Sequence, residues 1–136
     1  NSGHDVEAAQ RFLEAKERWP VGSVGWAEAT ALAFSKLTQE VCDEVAKPEW
    51  WSDEGLKALS VRVVRAAPDD HGVAHEMRAV ALSGQCDAWE AGPRSAAQLM
   101  EAATHFDRAA ALHAAPAMKA QHAASAAYCR RAADAM

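Results

Sequence analysis

His71 and His75 stand four residues apart in "HGVAH", which sets two imidazoles on one helical face at a spacing able to hold a metal ion. Glu76 follows them, but the order is not the H-E-x-x-H of a zinc protease. His105, His113 and His122 flank Pro116 further along. A tetrahedral or haem site needs such groups to converge from separate segments, so a His-based metal- or haem-binding bundle stands as one reading. The plainer expectation is that histidines scattered along acidic, Ala-rich helices are surface or groove residues, with no metal and no cofactor.

The other reactive side chains point away from catalysis. Cys42, Cys86 and Cys129 are odd in number, far apart in the chain and without a C-x-x-C pair, which excludes a compact zinc knuckle. They read as buried thiols in a reducing, cytoplasmic compartment. Asp43 with Glu44 and Asp69 with Asp70 are carboxylate pairs at expected helix ends, where solvation accounts for them. Nucleophile elbows, Gly-rich phosphate loops and Cys–His signatures are missing, so no enzyme is expected. "KPEWWSDE" sets Trp50 beside Trp51 in a loop, and neighbouring side chains cannot both face one core. Either Trp50 staples the loop while Trp51 caps the next helix, or one of them meets a partner.

The elements that must position these residues are helical. Half of the 136 residues are apolar and 24% are charged, the balance of an ordinary folded domain. Ala fills 34 positions, 16 of them after residue 100, while Ile is absent. Ala is the best helix former, so the composition predicts an all-α chain. Apolar residues at steps of three and four mark helices over 5–18, 23–46, 52–67, 70–90, 94–113 and 117–135. The second stripe runs through Phe34, Leu37, Val41 and Val45, and the fourth through Met77, Val80, Gly84 and Trp89. Ser52 before Asp53 and Glu54 reads as a cap with an acidic first turn, and Ser95 with Gln98 as a capping box.

Pro20, Pro68 and Pro116 recur 48 residues apart, each after an apolar helix with an acidic start. A proline lacks the backbone donor and turns its predecessor away from helix, so each should separate a pair of antiparallel helices. The chain then reads as three helix-turn-helix hairpins. Ala8, Phe12, Ala15, Pro20 and Trp26 follow a small–x3–aromatic–x2–small–x4–Pro pattern with a bulky residue six later. Ala102, Phe106 and Ala109 repeat it with Pro116 two residues late, while Leu56, Ser60 and Val63 precede Pro68. In this pattern the chain resembles the tetratricopeptide (TPR) repeat family. The resemblance implies a superhelical repeat, here with a period of 48 instead of about 34 and first helices near 20 residues long. A plain helical bundle is the alternative.

The TPR register implies a concave groove lined by Ala27, Ala31 and Phe34, then His75, Ala79 and Leu82, then Ala127, Arg130 and Arg131. Residues 1–136 are therefore expected to form a single TPR-like, non-enzymatic adaptor domain holding a partner helix or apolar peptide. Phe34, His75 and Leu82 would line the groove, with Arg130 and Arg131 at its basic end. A self-associating structural domain, burying the Ala-rich face of 117–135 against a second copy, is the other reading. The net charge of −5 lacks any basic run, which argues against nucleic acid. No stretch approaches the length of a membrane span. "NSG" at the start reads as a tag remnant or linker, and the ends suggest a piece of a longer protein.

Overall fold

A computed structural model of the chain describes residues 2–39, 42 and 45–136. Val41, Asp43 and Glu44 lie outside the described residues. Six helices follow one another: α1 (Ser2–Arg18), α2 (Val24–Leu37), α3 (Asp53–Ala66), α4 (Gly72–Ser83), α5 (Ala96–Leu112) and α6 (Pro116–Asp134). The fold is all-α, with no strand among the described residues. α1 packs on α2, α3 on α4 and α5 on α6, so the architecture is helical-repeat-like, three hairpins in series. α2 also packs on α3 and α4, and α4 on α5.

Each hairpin turn carries one of the spaced prolines. Pro20 accepts from Ser23 N–H at 3.0 Å, and Pro68 from His71 N–H at 3.0 Å, closing two tight turns. Pro116 is the first residue of α6, where its missing N–H costs nothing. Ser52 caps α3 by accepting from Gly55 N–H at 3.1 Å. Ser95 and Gln98 form the reciprocal box, at 3.1 Å and 2.9 Å. The fourth helix begins differently from the Asp69–Asp70 start. His71 is its cap, with imidazole Nδ1 accepting from Ala74 N–H at 3.2 Å.

Two helices are shorter than their stripes suggested. α2 ends at Leu37 and α4 at Ser83, where Gly84 adopts a left-handed φ of 67° and closes the helix. A side chain there would be strained by that φ, and its Cβ would meet Ala91 Cβ at 2.9 Å. The extra length of the period thus lies in two connecting segments, 38–52 and 84–95, rather than in longer first helices. Trp51 and Trp89 sit on those segments, one on each.

The best sequence match to the repeat is only half-buried. Val6, Ala9 and Leu13 face Leu37 and Cys42, whereas Phe12 belongs to no core cluster. It lines an open hollow of about 350 Å³ with His4, Glu7, Ala8 and Arg11. α1 packs chiefly against α2, so its inner face goes to α2 and Phe12 lies outside the core clusters. The poorer matches are core: Leu56, Ser60 and Val63 are fully buried, as is Ala102, with Phe106 nearly so. Phe12→Ala is accordingly expected to cost about 1 kcal/mol or less, far below the roughly 3–5 kcal/mol of a buried aromatic. Chemical denaturation of the variant checks this, and a loss above that range would place Phe12 in a seam.

Candidate functional site

The expected groove is filled by the protein itself. Phe34 is 2% exposed and Leu82 is 3% exposed, and they lie in separate core clusters. Ala27, Ala31 and Ala79 are fully buried. Trp51 reaches over Phe34 with ring centroids 5.5 Å apart, and Trp89 does so at 6.0 Å. The two indoles meet edge-on at 6.2 Å. An aromatic triad therefore occupies the face of α2 that the register assigned to a partner. Phe34 and Leu82 are core residues, covered by the chain's own side chains.

The remaining three residues do not join them. His75, half-buried, faces His105 across α4 and α5. Arg130 is ion-paired with Asp107, which neutralises half of the expected basic end. Arg131 is exposed on α6.

The segment carrying Trp89 is held by a half-buried ion pair that the sequence did not announce. Arg94 meets Asp53 twice, Nη2 to Oδ1 at 2.5 Å and Nη1 to Oδ2 at 3.0 Å. Their side chains are 7% and 14% exposed. Arg94 also donates to the carbonyls of Leu82 at 2.6 Å and Ala81 at 3.1 Å, two acceptors left over at the end of α4. Asp53, in the first turn of α3, further accepts from Trp89 Nε1 at 3.1 Å and Gly92 N–H at 3.0 Å. One carboxylate and one guanidinium thus bind the start of α3, the end of α4 and the segment before α5.

Arg94 holds the Asp53 carboxyl well below the usual carboxylate range, against the cost of burial and with help from Trp89 and Gly92. A folded-state value below the unfolded one of about 3.9 gives a stability contribution that is complete above that pH. It is lost as pH falls through and below the unfolded value. Asp53→Asn should therefore flatten the loss of stability between about pH 4 and about pH 2, read by denaturant titration at each pH. An acid limb as steep as the wild type's would show that Asp53 does not set it.

An open apolar cleft remains on another face. About 270 Å³ in volume, it lies between the end of α1, the α1–α2 turn and α3, and Val21, Trp26, Trp50 and Leu59 line it. Two cations stand in its wall over indole faces: Lys16 Nζ lies 5.5 Å from the Trp50 ring and Arg62 Cζ 5.4 Å from the Trp26 ring. Its lining holds no carboxylate. Val21 is 66% exposed and neighbouring Trp19 is 52% exposed, so apolar surface continues past the rim. Exposed indole and valine grouped beside an apolar hollow are a feature of interaction surfaces. Of the WW pair, Trp50 belongs to this cleft and Trp51 to the aromatic triad, where its Nε1 donates to Ala88 O at 3.0 Å.

Metal and thiol chemistry find less support. No three His, Cys, Asp or Glu side chains converge as a metal site among the described residues. Burial raises the pKa of the Cys129 thiol, which disfavours the nucleophilic thiolate. No helix of the described residues is long and apolar enough to cross a membrane. No family model, curated protein or solved structure matches the chain.

Proposed function

We propose that this chain is a TPR-like, non-enzymatic interaction domain whose docking site is the Trp26–Trp50 cleft. The observation that carries this reading is the pair of cations, Lys16 and Arg62, each stacked on an indole at an apolar hollow. The occupant that fits is a peptide segment placing one large apolar side chain in the hollow and acidic residues at its rim. A volume of about 270 Å³ suits a side-chain anchor better than a cofactor, whose pockets start near 300 Å³. The TPR-like reading is supported by three hairpins with a proline at each turn and by the packing of α2 on α4, successive first helices in that register. Adaptor binding thus moves from the concave side to the edge near α3.

Panning a random peptide library on the purified domain tests this reading. Selected peptides should combine acidic residues with an aromatic or long aliphatic anchor and should change the indole fluorescence on binding. Arg62 is exposed, so Arg62→Glu should leave helicity intact while weakening those peptides about tenfold, the effect of roughly 1.4 kcal/mol. Arg130→Glu with Arg131→Glu should leave them unaffected. Binding lost in that double variant and kept in Arg62→Glu would move the site to α6. Failure to select any peptide would remove the docking reading.

A further inference from the structure

His75 on α4 and His105 on α5 meet across the seam between the second and third hairpins. Their Nδ1 atoms are 3.0 Å apart, and the rings meet edge to edge with centroids 5.3 Å apart and planes inclined by 27°. The partners of the outer nitrogens determine where the protons sit. His75 Nε2 is 2.9 Å from the carbonyl oxygen of Asp69, which can only accept, so that nitrogen carries hydrogen. A neutral imidazole has a single N–H, which leaves His75 Nδ1 bare. His105 Nδ1 must then donate to it. His105 Nε2 is left bare, 3.7 Å from Glu101 Oε2.

Proton addition follows from this arrangement. A first extra proton goes to His105 Nε2, where the Glu101 carboxylate faces it. A second has only His75 Nδ1 left, the acceptor of the inter-ring bond. Protonating it abolishes that bond, sets two N–H groups against each other and brings two like charges together. We propose that the His75–His105 pair is an acid-released latch between α4 and α5, closed while the rings share at most one extra proton and opened by the second.

The surrounding charges favour release. From α4, Arg78 donates to Glu101 Oε2 at 3.0 Å and so draws on the carboxylate that would stabilise a charged His105. α3 contributes the Lys57 carbonyl and Ser60 hydroxyl that hold Arg78, at 2.8 Å and 3.1 Å. In the α3–α4 turn, the Asp69 carbonyl also accepts from Arg108 of α5 at 3.4 Å, and Asp69 and Asp70 carry the carboxylates of that turn. From α2 comes Glu28, paired with His71, and from α6 His122, paired with Glu76, each at 3.6 Å. Burial first, then His75 and Arg78, lower the pKa of His105, while Glu101 opposes them. A base whose folded pKa is lowered contributes its full stability above about pH 6.5 and loses it as pH falls through the folded value.

The test is a ring-proton NMR titration of the whole chain from about pH 8 to about pH 4.5, with denaturant unfolding at about pH 7.5 and at about pH 5. The two rings should titrate in separated steps, because the inter-ring hydrogen bond makes the second proton harder to add than the first. The wild type should lose about tenfold more of its folding equilibrium constant between those two pH values than His105→Phe, which keeps an aromatic ring at that place but cannot take a proton. Independent titration of both rings near the ordinary imidazole value would overturn the latch, whether or not the variant folds. So would an equal loss in wild type and His105→Phe.

Discussion

Arg94→Ala is expected to lose about 3–5 kcal/mol of folding stability. The substitution leaves Asp53 in place, 14% exposed, with its bidentate partner gone. It also strips donors from the Ala81 and Leu82 carbonyls at the end of α4. Lys57 lies 3.7 Å from Asp53 Oδ2 and can turn to it, but it replaces neither the donors to those carbonyls nor the fork on both carboxylate oxygens. For a chain of this size such a loss lowers the thermal midpoint by about 10 °C or more. Arg94→Lys should recover little, because an ammonium lacks the planar fork that reaches carboxylate and carbonyls together. A double change, Asp53→Asn with Arg94→Met, should be milder than Arg94→Ala alone, since no uncompensated charge stays behind. Calorimetry of the three variants decides the matter. An Arg94→Ala midpoint within a few degrees of wild type would mean the pair is solvated.

Phe34→Ala is the second large effect, about 3–5 kcal/mol, because the ring is 2% exposed beneath two indoles. The same substitution at an open groove residue would cost far less, so it separates core from groove at one position. Trp51→Ala should also destabilise, by roughly 2–4 kcal/mol, and it uncovers Phe34 and the edge of Trp89. Binding of an apolar dye should rise in Trp51→Ala and stay low in wild type. Wild-type stability in Phe34→Ala would return that residue to the surface and reinstate the groove.

Much of the scaffold is legible in the residues. Alanine content, the stripes of three and four, and Ser52 and Ser95 at their caps give six helices, and the spaced prolines give the turns. These signals are local, each acting within a turn of helix. Gly84 shows where local signals stop. It sits in phase with Met77 and Val80, so the stripe runs through it, yet only its freedom to take φ of 67° matters. The stop at Gly84 releases Trp89 from the helix to pack on Phe34. Nothing in the spacing shows that Arg94 returns to Asp53, 41 residues earlier, or that His75 meets His105, because those contacts depend on how hairpins stack. Phe12 shows the converse, a matching pattern that falls outside the packed core. The cleft at Trp26 and Trp50 had one visible signal, the WW pair, and its cations lie on helices remote in sequence.

The two connecting segments also bear on how the domain comes apart. In a stack of hairpins that touch only their neighbours, loss of order can start at one end and spread unit by unit. Here Trp51, just after the first hairpin, donates to Ala88 in the segment that leads into the third. Asp53 and Arg94 fasten that same segment to the beginning of α3. The outer hairpins are thereby coupled through the middle one, and none of the three can melt without breaking a contact that also orders another. Unfolding should proceed as one cooperative transition, with calorimetric and van't Hoff enthalpies equal, rather than as progressive fraying from the ends.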